Sequence, residues 1–242
     1  MELLVVGAGV MGRWLGATLG PIATVSYLDR DPQTAEGAAA AGAATATTEG
    51  HPADVVAFAV PISATPSAIA TYAPFATGAV IDVTGHMQGP VSAMQEAAGG
   101  RERMSMHPLF APRAAPGRIA TVVDADGPHT SAIRERLRAV GNELVMTTPE
   151  THDRAMRTVQ GAAHAAIFAY GMAADAVPPE LHTPVSETLE RLLERVTQGD
   201  PAVYREIQES FDGTEALAAA ARQLAADPAV IEALYGRHGP GG

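Results

Sequence analysis

Near the start of the chain, Gly7-Ala8-Gly9-Val10-Met11-Gly12 sets three glycines in the pattern G-x-G-x-x-G. The pattern has a mechanism when it follows a strand and opens a helix. The first glycine permits a tight turn, the second lets backbone approach a pyrophosphate, and the third lets the helix pack close to the strand. The helix N-terminus adds unpaired N–H groups and partial positive charge, so Val10 and Met11 join the glycines as phosphate contacts. Asp29 follows about 20 residues on, as the motif requires. A carboxylate there can accept hydrogen bonds from both hydroxyls of a ribose and would repel a 2′-phosphate. This favours NAD over NADP, although Arg30 beside it softens the preference. The competing reading is a chance glycine turn with a surface acid; strand, turn, helix and acid coming together argue against it.

A second group of residues could move protons. His107-Pro108 follows a short apolar run, at what reads as a strand end, and carboxyl ends of strands in open α/β sheets are where ligands bind. Taken alone, the pair also reads as an ordinary loop histidine. Further on, His152, Met156, Gln160 and His164 recur at intervals of four. On a helix they drift slowly around one broad face. Polar side chains on a face that also carries Met156 and Phe168 suggest a pocket lining, against the plain alternative of a half-exposed helix with two ordinary histidines. A metal at His152-Asp153 lacks a third and fourth ligand, so no metal is expected.

These residues need a sheet edge and a helix to hold them. Strand signals fall at Glu2–Val6, Thr24–Leu28, Asp54–Val60, Ala79–Val83, Met104–Met106, Ile119–Val123 and Glu143–Met146. Helices are expected at Val10–Leu19 and Ser131–Val140, while Ala35–Thr48 reads as helix and loop. Strands separated by helices argue for βαβ units and a parallel sheet. After Thr148 the strand signals stop. Thr148-Pro149-Glu150 is a helix start, with a hydroxyl cap, a proline at the first position and an acid at the positive dipole end. That helix is expected to run to about Ala174, with others at Val185–Val196, Ala202–Ser210 and Gly213–Leu224, and a frayed tail at Gly236–Gly242. The fold class is α/β: an N-terminal Rossmann dinucleotide-binding domain over residues 1–147, then an all-helical dimerisation and substrate domain over 148–242.

Composition narrows the partners. The net charge of −11 argues against nucleic acid, whose phosphates require a basic stripe. With no cysteine, disulfides and thiolate metal sites are excluded. No stretch approaches the ~20 apolar residues of a membrane span, and the N-terminus shows no basic leader. A cytoplasmic protein without membrane contact is expected. Helices numbering under about 100 residues rarely bury enough surface alone, so a homodimer through the helical domain is expected.

Taken together the motifs resemble those of the prephenate dehydrogenases. Ser105-Met106-His107-Pro108-Leu109-Phe110 is similar to that family's His-Pro-Met-Phe-Gly signature. Thr151-His152-Asp153-Arg154-Ala155-Met156, with Val159-Gln160 and His164, is similar to its Glu-His-Asp-x-x-Met-x-x-x-Gln-x-x-x-His helix. Asp82–Pro90 sits where the family has an Asp-x-x-Ser-Val-Lys turn, and Arg195 ahead of Pro201, Tyr204 and Ile207 resembles its arginine segment. The resemblance reaches from the glycine loop to about Ser210.

It implies an NAD-dependent oxidoreductase that converts prephenate to 4-hydroxyphenylpyruvate in tyrosine biosynthesis. His107 would take the proton of the ring hydroxyl, as a neutral imidazole near its ordinary pKa of about 6.5. Arg195 would bind a substrate carboxylate through its planar fork. His164 and Gln160 would line the pocket and His152 would orient or support it. The sequence departs from the family at Gly85, where a serine is expected, and at Met87, where a lysine is expected; Thr84 or His86 would then substitute for the serine. Ala111 replaces a glycine, and Glu187 stands where some relatives carry a second arginine. Alternatives are an arogenate dehydrogenase, an imine-reductase-like enzyme, or a non-catalytic NAD-binding sensor.

Overall fold

The computed structural model describes residues 1–238. It divides into two compact units, Met1–Asp153 and a second beginning at Arg154.

The first unit is built on strands whose two faces are both covered. In chain order these are β1 (Glu2–Val6), β2 (Thr24–Leu28), β3 (Ala44–Thr47), β4 (Ala53–Phe58), β5 (Ala76–Asp82), β6 (Glu102–Pro108), β7 (Arg118–Ala125) and β8 (Glu143–Met146). They form one sheet in the order β3-β2-β1-β4-β5-β6-β7-β8. The helices between them are α1 (Val10–Leu19), α2 (Pro32–Ala40), α3 (Thr65–Tyr72), α4 (Gln88–Ala97) and α5 (Pro128–Ala139). Successive side chains of a strand point to opposite faces. Leu3 and Val5 of β1 therefore pack with Leu15 and Leu19 of α1 and Ile133 and Leu137 of α5, while Leu4 and Val6 pack with Ile69 of α3 and Met94 of α4. This double covering explains why the strands read as unbroken apolar runs.

The expected α/β class and helical C-terminal half hold, and three details differ. Ala44–Thr47, expected as helix and loop, is the edge strand β3, paired in parallel with β2. Alanine is a poor strand former, and the pairing rather than local propensity sets its conformation. The sheet is not wholly parallel, because β6 and β7 run antiparallel with His107 opposite Ala120. The helices α3 and α4 carry weaker signals than the strands around them and were not anticipated.

Past the sheet, α6 (Pro149–Met156) starts as expected, with the Thr148 hydroxyl accepting the N–H of Thr151 at 3.2 Å. The helix does not continue uniformly to Ala174. Arg157–Ala162 is wound as a π-helix, and α7 (Ala163–Ala173) follows. The second unit then comprises α8 (Pro184–Thr197), α9 (Pro201–Ser210), α10 (Gly213–Ala226) and α11 (Val230–His238). Of the tail expected to fray, 236–238 close α11, and 239–242 lie outside the described residues. Met156, Ile207 and Phe211 form a small buried cluster. A Cβ on Gly213 would run into the backbone of Gly161 and Ala162, so α10 begins hard against the π-helical turn. Gln208 Nε2 donates to the Gly161 carbonyl there at 3.2 Å. Such a side-chain donor satisfies a carbonyl that an irregular turn leaves short of partners.

Candidate active site

In the chain order of the sheet, direction reverses between β1 and β4, which is where open α/β sheets bind ligands. The glycine turn lies there. Gly7 has φ +96°, and a Cβ on it would strike the Ala59 carbonyl just beyond β4. A Cβ on Gly12 would strike the Gly7 carbonyl, so the third glycine lets α1 close on the turn. At Gly9 a Cβ would meet nothing within 4 Å. The fold therefore does not need glycine at this position, and the open space there fits a pyrophosphate approaching the first turn of α1. Val10 at that turn is 71% exposed, and Met11 is half-buried.

Asp29, just past β2, turns toward the same loop. Its Oδ2 accepts the N–H of Ala8 at 2.8 Å and its Oδ1 accepts the N–H of Asp31 at 3.0 Å. The carboxylate thus holds the glycine turn, and each oxygen keeps a further lone pair for a ribose hydroxyl. Arg30 is exposed beside it. Arg13, not anticipated, ties the loop from the other side by donating from Nε to the Ala8 carbonyl at 2.9 Å. One residue along α1, Trp14 meets Phe110 edge-on at 5.5 Å, linking the helix of the glycine turn to the segment after His107.

His107 sits at the carboxyl end of β6 and is buried. Its Nδ1 lies 2.9 Å from His152 Nε2, with the rings edge to face, and His152 Nδ1 lies 2.8 Å from Asp153 Oδ1. Asp153 Oδ1 also accepts the N–H of Met87 at 2.9 Å. Its Oδ2 accepts from Gln88 N at 3.0 Å and Gln88 Nε2 at 3.1 Å, with His86 Nε2 at 3.3 Å. Burial alone would raise this carboxyl, but hydrogen bonds from His152, Gln88 and Met87 and the neighbouring His86 outweigh it and hold it at about 2.

That carboxylate fixes the direction of the bond it accepts from His152. It can only accept, so His152 Nδ1 carries a proton and donates. In a neutral His152, Nε2 is then an acceptor, His107 Nδ1 donates to it, and His107 Nε2 is the basic nitrogen. Burial first, and then His152, push the His107 imidazole down to about 3, with Asp153 opposing. This corrects the expectation of an ordinary pKa near 6.5: the ring is neutral across the physiological range because a charge there would be desolvated.

The turn after β5 faces this ring. A Cβ on Gly85 would lie 3.6 Å from His107 Nε2 and 3.5 Å from Ile62 Cδ1. Thr84, expected to stand in for the missing serine, is buried. Its hydroxyl is 2.6 Å from Asp82 Oδ1 and 3.0 Å from the His86 carbonyl, and is committed to shaping the turn. Asp82 is fully buried, and burial pushes its carboxyl up to about 7 despite hydrogen bonds from Thr84. An acid closing the apolar run Ala79-Val80-Ile81 was its available sequence signal.

In the second unit, the His164 ring meets Tyr204 edge-on at 5.1 Å, Phe168 meets Tyr204 at 5.5 Å, and burial lowers the His164 pKa. Gln160 lies within the π-helical turn. Arg195 is exposed on α8 and, among the described residues, makes no side-chain hydrogen bond or ion pair. The structure thus joins His107 to His152, and His164 to Tyr204.

No family model matches the chain. It is 32% identical over 180 residues to a 4-amino-4-deoxyprephenate dehydrogenase of Streptomyces pristinaespiralis, covering 68% of this chain and 59% of that protein. A "Probable arogenate/prephenate dehydrogenase" of Methanocaldococcus jannaschii is 27% identical over 171 residues, covering 64% of this chain and 38% of that one. The chain therefore spans less than two thirds of the length of these curated relatives. Its fold matches the prephenate dehydrogenase of A. aeolicus, solved with hydroxyphenyl propionate and NAD+, at a TM-score of 0.72 and 17% identity over 97% of this chain and 92% of that one. The resemblance carried by the motifs is borne out: the chain is similar in sequence to 4-amino-4-deoxyprephenate and arogenate/prephenate dehydrogenases, and in fold to a prephenate dehydrogenase.

Proposed function

We propose that this chain is an NAD-dependent dehydrogenase that oxidatively decarboxylates prephenate to 4-hydroxyphenylpyruvate. The observation that carries the reading is the Asp153–His152–His107 chain of hydrogen bonds. It presents a basic nitrogen at the carboxyl edge of the same sheet that bears the glycine turn.

NAD+ supplies the hydride acceptor. Gly7, Gly9 and Gly12, with Val10 and Met11 in the first turn of α1, receive its pyrophosphate, and Asp29 takes the ribose hydroxyls with Arg30 at the rim. His107 Nε2 takes the proton of the ring hydroxyl while hydride leaves the same carbon. The bond from the ring to its carboxylate then breaks, carbon dioxide departs, and its electron pair completes the aromatic ring. Arg195 holds a substrate carboxylate, and Gln160 and His164 line the substrate pocket. His152 acts behind His107, and Thr84 shapes the turn beside it.

The relatives' names favour two further substrates at the same site: arogenate and 4-amino-4-deoxyprephenate. The test is NADH formation by purified protein with each of the three, with His107→Asn as control. Turnover of prephenate that His107→Asn abolishes supports the proposal. Turnover of one of the amines alone reassigns the substrate. Silence with all three, in a folded protein that binds NAD+, overturns the enzyme reading in favour of a sensor.

A cytoplasmic homodimer joined through the helical unit completes the proposal. No helix among the described residues is long and apolar enough to cross a membrane. The support for a dimer is apolar surface on the second unit, where Met172 is 89% exposed, Val185 71% and Leu181 68%. Light scattering that returns a single-chain mass at micromolar concentration would remove the dimer.

A further inference from the structure

Resting on that reading, we propose that His152 and Asp153 are a proton relay behind His107. As His107 Nε2 takes the substrate hydroxyl proton, the Nδ1 proton of His107 passes to His152 Nε2, and the positive charge comes to rest on His152 against Asp153.

The geometry is a line of two short bonds, 2.9 Å from His107 Nδ1 to His152 Nε2 and 2.8 Å from His152 Nδ1 to Asp153 Oδ1. Both imidazoles and the carboxylate are buried, with the His152 side chain 1% exposed. His107 Nδ1 faces the His152 imidazole, whereas His152 Nδ1 faces the Asp153 carboxylate. One step along, a positive charge gains Asp153 at ion-pair distance, in a setting where low polarity strengthens the attraction. Asp153 is itself fixed, because the backbone N–H groups of Met87 and Gln88 orient both oxygens. His86, which faces Asp153 Oδ2 at 3.3 Å, and the buried Asp82, whose carboxyl feels the Asp153 charge, are the other titratable groups near the carboxylate.

The proton balance closes. Prephenate gives one hydride to NAD+, one carbon dioxide to solvent and one proton to the relay. Aromatisation generates a phenolate oxygen where the hydroxyl stood, and the relay runs backward to reprotonate it. NADH, carbon dioxide and the phenol leave with no net change in protons on the protein. His152 and Asp153 are thus positioning residues that act through His107.

His152→Gln separates relay from scaffold. A glutamine can accept the His107 Nδ1–H and donate to Asp153, but it cannot carry the proton. The relay requires kcat to fall by roughly 10²-fold, the low end for a proton-transfer group, with KM within threefold. A proton inventory in mixed light and heavy water should be curved for wild type, with two protons in flight, and linear for His152→Gln. An unchanged kcat overturns the relay and leaves His152 a structural prop. A second readout needs no turnover: ¹⁵N NMR of the wild-type imidazoles at neutral pH should find His107 protonated at Nδ1 and bare at Nε2. His107 protonated at Nε2 overturns the relay whatever substrate the enzyme takes. Absence of turnover in wild type alongside the Nδ1–H tautomer overturns the substrate reading and not the hydrogen-bond direction on which the relay depends.

Discussion

Asp153 accepts the backbone N–H of Met87 across 2.9 Å of space and 66 residues of chain. The same carboxylate oxygen accepts from His152. The turn carrying Gly85 and the imidazole behind His107 are therefore anchored to one side chain.

Asp153→Ala should accordingly loosen both. It leaves the N–H groups of Met87 and Gln88 and the Nδ1 of His152 short of an acceptor. Buried donors without partners cost about 1–3 kcal/mol each, so a loss of about 3 kcal/mol is expected in urea unfolding. Wild type should show an acid dependence that the variant lacks. The folded carboxyl is held at about 2, below its unfolded value of 3.8. Its contribution is then present above the unfolded value and lost as pH falls toward 2. Equal stabilities of the two proteins at neutral pH would show that the anchor is idle.

Asp82 runs the other way. Its folded carboxyl is raised from 3.8 to about 7, so the native state binds that proton more tightly than the unfolded chain. The associated stability is complete below the unfolded value and disappears as pH rises toward and past 7, an effect of about 4 kcal/mol by linkage. Asp82→Asn removes the titrating group while keeping an oxygen for Thr84. Stability profiles from pH 4 to 8 should therefore fall for wild type and stay flatter for the variant. Parallel profiles would mean that Asp82 ionises without cost.

Gly85 faces His107 with room for a side chain. A Cβ there meets only ordinary contacts, at 3.5 Å to Ile62 and 3.6 Å to His107 Nε2, and the residue is not among the glycines with positive φ. Gly85→Ser should thus fold with a stability change within about 0.5 kcal/mol and set a hydroxyl beside the basic nitrogen. We expect kcat/KM for prephenate to rise, since the added hydroxyl can hold both the imidazole and the substrate oxygen. A tenfold fall would show instead that the pocket is built around the glycine and takes a bulkier group at the reacting carbon.

What could be read from the sequence was what is encoded locally. The glycine turn, its strand and helix, and Asp29 lie within thirty residues and obey one spacing rule. His107 and His152 were singled out, but their mutual bond was not, because it joins residues 45 positions apart and depends on the order of strands. Asp153 belongs to a motif that gives it no role of its own, since its partners include the backbone N–H groups of Met87 and Gln88, which no side-chain pattern announces. The four-residue spacing of the polar helix assumed uniform α-helical turns. The π-helical Arg157–Ala162 breaks that period, and only Gly161, where a Cβ would crowd Phe211 and Gly213, hints at it. Edge strand β3, made of alanine and threonine, shows how pairing to a neighbour can decide a segment whose own preferences are weak.

The three glycines of the turn should separate when each is replaced by alanine. Gly12→Ala drives a Cβ into the Gly7 carbonyl, and Gly7→Ala adds a clash with Ala59 to a positive φ, so both should lower Tm sharply and reduce soluble yield. Gly9→Ala meets no protein atom within 4 Å, so its Tm should match wild type in the absence of cofactor. Its methyl would occupy the space through which a pyrophosphate reaches the first N–H groups of α1, and NAD+ affinity should weaken by about tenfold or more, equivalent to roughly 1.4 kcal/mol. Thermal melts with and without NAD+ read both effects at once: wild type gains stability with the cofactor, and Gly9→Ala starts at the same Tm but gains little. If Gly9→Ala binds NAD+ as wild type does, the pyrophosphate does not pass over this turn, and the cofactor must be sought elsewhere along the carboxyl edge of the sheet.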